Sequence, residues 1–400
     1  MRVSATHTDP DTAGERRVDW TDIAGARLGV AGAGLKGSGG DDLVVLHAPG
    51  MAAAVTTQST AAAAPCRWTR DRVPGPIHAV VVNAGNANAA TGPEGEQHTA
   101  TMAKATAAAL GCAVDQVLVC STGVIGVPLS IAPVVDAIEG ASRHLGAPME
   151  RAARAIMTTD TTTKTAGTHL AGISVGGFAK GSGMVHPDMA TMLGFLATDV
   201  SAPPDALQAL LEAVVDKTFN AITVDGDTST NDTVILQATG RGRAVTPASP
   251  GWAALERALT TTCTDLARAI ARDGEGATRL VEVRVDGLDD DARARCAARA
   301  VARSPLVKTA IHGCDPNWGR IVGALGAVGV RGLDALSLDL AGHPVLRDGR
   351  PIPFDEAAVS RAMSTDEVIL QITLPGDGHG VGWGCDLTAG YVTINADYRT

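Results

Sequence analysis

Residues 180–193, KGSGMVHPDMATML, run from a glycine-rich turn with a lysine, past a proline, into an apolar stretch whose first hydroxyl is Thr191. Continued as TMLGFLATD, the stretch reads as a buried β-strand beginning at the threonine itself. On spacing alone Thr191 is an ordinary strand residue, since no histidine or acid pattern beside it would activate it. A threonine hydroxyl is a weak nucleophile at neutral pH and needs a base. A cut between Ala190 and Thr191 would supply one. The freed α-amine, with an ordinary pKa of ~8, is partly neutral at pH 7, whereas a lysine amine at ~10.4 needs far more perturbation.

Outward from this stretch, strand-like runs stand at 42–47 (DLVVLH), 78–83 (HAVVVN) and 116–122 (QVLVCST), each bounded by Gly, Pro or Asn. Helical periodicity appears at 96–111, 130–145 and 204–216; in the last, Leu207, Leu210, Leu211, Val214 and Val215 share a face and Pro203 and Pro204 mark the start. Strands and helices alternate without a regular βαβ period, which predicts α/β layers rather than a doubly wound sheet. Residues 1–24 read as a polar lead-in and 25–280 as the main layered domain. After 271–277 (ARDGEGA) the strand LVEVRVDG and the charged helix DDDARARCAARAVARS open a smaller domain, 281–400.

Of the 400 residues 45% are apolar, but only 3% are aromatic and 46 are Gly, so the core is built from Ala, Val, Leu and Ile. Net charge is −10, with no basic run or aromatic interleaving, which argues against nucleic acid as a partner. In so acidic a chain an anionic substrate needs a local cation, and Lys180 is a candidate. Seven scattered cysteines without a CxxC pair suit a reduced cytosol. No apolar run approaches the ~20 residues of a membrane span, so a soluble cytoplasmic protein is expected.

Two short motifs tempt and fail. GAGLKG (32–37) matches G-x-G-x-x-G, but a strand follows it where a dinucleotide site needs a helix N-terminus. GISVG (172–176) matches a nucleophile elbow around Ser174, with His312 as a possible base, but the glycines that follow are poor helix starters. DGDTSTND (225–232) lacks the spacing and closing glutamate of a calcium loop, so no metal is expected, and hydrogen bonding at turns and strand edges is the better reading.

Most of the chain resembles the ornithine acetyltransferases, also called glutamate N-acetyltransferases. The resemblance rests on GLKGSGGDDLVVL (34–46), NAGNANAATG (83–92), CSTGVIG (120–126), MTTDT (157–161), AKGSGMVHPDMATML (179–193), DGDTSTND, DGEGA (273–277), SPLVKTAIHGCDPNWGRI (304–321) and GCDLTAGYVTINADY (384–398). It implies an N-terminal-nucleophile-like αββα sandwich with a smaller C-terminal α/β domain. It also implies self-cleavage between Ala190 and Thr191, giving chains 1–190 and 191–400 that stay associated as an α2β2 or larger assembly. Thr191 would then take an acetyl group from N-acetylornithine and pass it to glutamate by ping-pong transfer. Thr122 and Gly123 would hold the oxyanion, and Thr158, Lys180, Glu275, Asn395 and Thr400 would contact substrate. No cofactor is implied, although some relatives use acetyl-CoA as donor and some serve specialised pathways. Ala90 stands where many relatives have Cys, and Asp188 where many have Asn; Asp188 is expected to tune self-processing, an idea that an Asp188→Ala chain cutting at the parent rate would dispose of. A serine hydrolase at Ser174 and an uncleaved, inactive binding subunit are the rival readings.

Overall fold

A computed structural model of the chain describes residues 18–37, 39–186 and 192–397. Ala190, Thr191, Asp188 and Thr400 lie outside the described residues. The first eight strands are β1 (Arg27–Ala31), β2 (Leu43–Thr56), β3 (Gly75–Asn86), β4 (Val117–Val124), β5 (Lys164–Leu170), β6 (Ile173–Lys180), β7 (Leu193–Thr198) and β8 (Thr233–Ala238). They form one sheet in the order β4-β3-β2-β8-β7-β6-β5, with β1 also paired to β2.

The long strand β2 turns this sheet into two layers. Its first half, through His47, pairs with β1 and β3; its second half, from Met51, pairs with β8, and the register with β3 shifts between His47 and Gly50. The bend follows from Pro49, which cannot donate to a ladder, and from Gly50, where a Cβ would lie 2.0 Å from the Ala238 carbonyl oxygen. Period-two alternation then sorts the side chains. Leu46, Val82 and Leu118 of one half meet Phe178, Phe195 and Ile235 of the other in an inner core. Val45, Val81, Val117 and Val119 face outward onto helices Gly92–Leu110 and Ile131–Arg143. Val175, Leu196 and Leu236 face outward onto helices Pro204–Lys217 and Pro250–Arg272. The order is helix, sheet, sheet, helix.

Few aromatics serve this core, and three of them are spent together: Phe178 lies 5.4 Å from Phe195 and 5.7 Å from Trp20, centroid to centroid. Each is fully buried, worth about 1.5–3 kcal/mol per side chain relative to exposure. Trp20 also shortens the polar lead-in expected over 1–24. Val18, Trp20 and Ile23 are at most 1% exposed, because these apolar residues dock on the β5–β6 hairpin, where the Val18 N–H donates to the Gly167 carbonyl at 3.3 Å.

Strands β9 (Leu280–Leu288), β10 (Ser337–Leu340), β11 (His343–Arg347), β12 (Arg350–Pro351), β13 (Glu367–Gly376) and β14 (His379–Cys385) form a second sheet, ordered β12-β11-β10-β13-β9-β14. The charged helix Asp291–Arg303, capped by the Asp290 carboxylate on the Arg293 N–H, turns Ala294, Ala298 and Val301 onto this sheet. It approaches β14 closely because HGVGWGC alternates glycines: a Cβ at Gly380 would lie 2.2 Å from the Arg295 nitrogen. Trp383 and Cys385 at the end of β14 join the apolar core of the first sheet.

Candidate active site

Strand β6 ends at Lys180, whose alternation with Phe178 turns its side chain into the space between the two layers. Only 2% of Lys180 is exposed. Its Nζ donates to Thr122 Oγ1 at 3.3 Å and lies 4.0 Å from an Asp160 oxygen. Thr122 and Gly123 sit at the end of β4, where the parallel ladder to β3 narrows to a backbone contact: Gly123 has φ +128°, and a Cβ there would lie 2.3 Å from the Gly85 carbonyl carbon. Only glycine permits that approach.

The Asn-rich segment 83–92 folds around its own amides. Asn83 Nδ2 donates to the Asn86 carbonyl at 2.9 Å, Ser121 Oγ to Asn83 Oδ1 at 2.6 Å, and Asn88 Nδ2 to the Gly95 carbonyl at 2.9 Å. Such local amide bonds are why Asn accumulates in turns. They hold the β3 and β4 ends together beneath Thr122.

Lys180, Thr122, Gly123, Thr158, Glu275 and Asn395 line one cavity of about 220 Å³. The six described residues that the resemblance nominated thus converge, although they come from widely spaced parts of the chain. The Thr158 N–H donates to Asp160 Oδ2 at 3.1 Å, and the Glu275 N–H donates to the Ser182 carbonyl at 3.1 Å. Asn395 Nδ2 donates to Glu275 Oε2 at 2.7 Å. The C-terminal helix Ala389–Asp397 reaches the cavity over Gly276, where φ is +70° and a Cβ would lie 2.4 Å from the Tyr391 nitrogen. Just after Thr191 in sequence, the Met192 N–H donates to Asp232 Oδ1 at 2.9 Å, and Leu193 is the register partner of Lys180.

Behind the cavity lies a buried ionic network. Lys164 Nζ donates to Asp160 Oδ1 at 2.7 Å and to Asp273 Oδ2 at 2.5 Å, and the Gly181 N–H donates to Asp160 Oδ1 at 2.7 Å. Burial alone would push Asp160 up; the Lys180 and Lys164 charges and the Gly181 N–H outweigh it and hold the carboxyl at about 2. Burial lowers the pKa of the Lys180 ammonium, with Asp160 opposing. Burial also drives the Asp232 carboxyl well above the carboxylate range, despite the Met192 N–H. Asp225, another wall residue, is pushed up by burial to about 6 although it accepts N–H groups of Asp227, Met184 and Val185. A cavity with one buried cation, a hydroxyl and a glycine N–H at a strand end, and an acid at its other side can grip a carboxylate, steady a developing oxyanion and face an ammonium.

Ser174 takes no such position. It lies inside the β5–β6 hairpin with Oγ 2.8 Å from His169 Nδ1, no helix follows it, and it is not among the residues lining the cavity. His312 instead places Nδ1 3.0 Å from Asp386 Oδ2. Asp160, Lys164, Asp225, Asn231 and Asp232 were not singled out by sequence reasoning. Asp225, Asn231 and Asp232 all lie in DGDTSTND, whose density of short polar side chains was the available signal. Among the described residues no three His, Cys, Asp or Glu side chains gather to hold a metal ion.

The sequence model of the ArgJ family matches residues 27–400. The arginine biosynthesis bifunctional protein ArgJ of Thermosynechococcus vestitus is 46% identical over 417 aligned residues, covering 95% of this chain and 99% of that one. The protein of the same name from Deinococcus radiodurans is also 46% identical, covering 96% and 98%. Among solved structures, arginine biosynthesis bifunctional protein ArgJ from Bacillus halodurans is 44% identical with a TM-score of 0.51; the match takes in 100% of that solved chain but 52% of this one.

Proposed function

The chain belongs to the ArgJ family, and from that premise we infer that it is an acetyltransferase of arginine biosynthesis, moving acetyl from N-acetylornithine to glutamate through an ester on Thr191. The observation that carries the reading is the convergence of Lys180, Thr122, Gly123, Glu275 and Asn395 on one cavity, with Leu193, two residues after Thr191, paired in register to Lys180.

Processing comes first. Thr191 Oγ attacks the Ala190 carbonyl, the peptide shifts from N to O, and water hydrolyses the ester, leaving the α-amine of Thr191 free. In turnover that amine takes the hydroxyl proton as Oγ attacks the acetyl carbonyl, and returns it to the departing ornithine amine. Glutamate then attacks the acetyl ester, and Thr191 recovers its proton. The Thr122 hydroxyl and Gly123 N–H hold the oxyanion of both tetrahedral intermediates, a contribution of the kind that costs about 10²–10³ in kcat when a donor is lost. Lys180 holds the substrate carboxylate; Glu275, kept in place by Asn395, faces the ornithine ammonium, and Thr158 and Thr400 complete the contacts.

The reading takes 25–280 as the nucleophile-bearing domain and 281–400 as the smaller one. It needs no cofactor. Acetyl-CoA is the alternative donor, in keeping with the word bifunctional in the relatives' names. Amino acids are the substrates, an α2β2 or larger unit the assembly, and the cytoplasm the compartment; no helix among the described residues is long and apolar enough to cross a membrane. That the whole solved Bacillus halodurans chain corresponds to 52% of this one supports the cut, because residues 191–400 make up a little over half of the sequence.

The test is the denatured mass of the purified chain beside Thr191→Ala. Two fragments, the second beginning TMLGF, from the parent and one intact chain from the variant are expected, followed by acetyl transfer from N-acetylornithine to glutamate by the parent alone. A folded parent that stays whole defeats the mechanism.

A further inference from the structure

Two consecutive residues just before β8 reach the two halves of the proposed chemistry. Asn231 is 4% exposed and spends both Nδ2 hydrogens on main-chain carbonyls, that of Ala87 at 2.6 Å and that of Ser121 at 2.9 Å. Ser121 directly precedes Thr122 and Gly123, and Ala87 directly follows the β3 end against which Gly123 packs. Asp232, fully buried, accepts the Met192 N–H at 2.9 Å, while the Thr233 N–H donates to the Met192 carbonyl at 3.2 Å. Met192 is thereby held at both its main-chain polar groups, one residue after Thr191. The second Asp232 oxygen, Oδ2, is buried and has no partner among the described residues.

A hydrogen bond to a buried carbonyl is costly to lose, since the carbonyl is left without water or partner. The two side chains belong to one stretch of backbone, so neither the oxyanion turn nor the nucleophile's strand can move without straining the other. Resting on the acetyl-transfer reading above, we propose that Asn231 and Asp232 are positioning residues: one fixes the turn that binds the oxyanion, the other fixes the strand that carries the nucleophile, and their adjacency sets the separation between the two. Interactions realised mainly in the transition state appear in kcat and leave KM alone.

Shape-matched variants of the full chain test this. Asn231→Asp keeps the side-chain outline but points oxygen where two N–H groups stood; Asp232→Asn keeps an acceptor for the Met192 N–H. The first should lower kcat of the cleaved enzyme at least about 30-fold with KM for N-acetylornithine within about threefold, and adding Thr122→Ala should cost little more than Thr122→Ala alone. Asp232→Asn should process and turn over within about threefold of the parent, whereas Asp232→Ala should slow chain cutting at least about tenfold, as a lost buried hydrogen bond predicts. If an Asn231 variant fails to fold, the Asp232 pair decides, and Asp232→Ala cutting at the parent rate overturns the proposal. Asn231→Asp at parent kcat overturns it too, while a parent that cuts before Thr191 and transfers acetyl keeps the function standing. A parent that neither cuts nor transfers acetyl defeats the functional reading itself, and the positioning roles with it.

Discussion

At one end of the space between the first sheet's two layers, Lys180, Asp160, Lys164, Asn231 and Asp232 are all buried, none more than 8% exposed. On the face of the six-stranded sheet that packs on helix Asp291–Arg303 the core is Val, Leu, Ile, Ala and Met; the buried Glu282 of β9 alternates onto the opposite face, where it pairs with Arg268 and accepts the Trp383 indole N–H. Both interiors are closed to water, yet the ions gather in the first of them. Charges taken out of water cost several kcal/mol each before any pairing returns part of it, so a fold built for stability alone has the second interior. The first holds its ions by mutual pairing around a cavity, and that expense, more than the size of the cavity, is the physical ground for proposing the chemistry there.

The largest effect that could break this contrast belongs to Gly123→Ala. With a Cβ 2.3 Å from the Gly85 carbonyl carbon and φ at +128°, the turn must move, and kcat should fall at least about 100-fold, as for loss of an oxyanion donor. Steady-state acetyl transfer by the folded variant measures it, and an unchanged kcat would remove Gly123 from the mechanism. Lys180→Met comes next. Asp160 keeps Lys164 as its cation, so the chain should fold, while KM for N-acetylornithine should rise about 10- to 100-fold, the worth of a charged hydrogen bond.

Leu370→Ala sharpens the comparison from the other side. This fully buried strand residue should cost about 2–5 kcal/mol of stability in denaturant titration and leave kcat within about twofold. A matching fall in kcat would mean that the six-stranded sheet does more than support. The smallest effect is in the pH dependence of Asp160→Asn. Asp160 is depressed to about 2 in the fold from an ordinary ~3.9, so its charge stabilises the folded chain above pH ~4, and that contribution is lost as pH falls through about 2. Parent and variant should therefore differ most at neutral pH and converge on acidification, read by denaturant midpoints across that range.

How far these regions could be read from the chain depends on the range of the forces involved. The runs DLVVLH, HAVVVN and QVLVCST became β2, β3 and β4, and the helix read at 204–216 is Pro204–Lys217, because apolar periodicity is a local record of which face is buried. Lys180 offered no such record. A lysine beside glycines reads as a solvated loop residue; the chain's net charge made it a candidate cation, and the family resemblance set it against substrate. The Lys164–Asp273 pair joins residues 109 apart in sequence, so nothing in either neighbourhood announces it. Asn231 and Asp232 sit in a segment whose polar residues suit any turn, and their reach to Ser121 and Met192 exists only once β8 lies between β2 and β7. Trp20 shows the opposite error: one aromatic among polar neighbours read as lead-in, although its ring had a place against Phe178.

The strand order also carries a consequence for the life history of the molecule. β7 and β8 lie after the proposed cut, yet in the sheet they stand between β2 and β6, which lie before it. A fragment comprising 191–400 alone would present both outer edges of that strand pair unpaired, an invitation to aggregation, and the fragment 1–190 would have a gap where its two halves should join. The proposed scission would therefore be a late event, following assembly of the sheet. Such a cut would remove a covalent bond without removing a neighbour, so a denatured, processed chain would have lost the linkage that first brought the two pieces into one sheet and should refold far less readily than its uncut precursor.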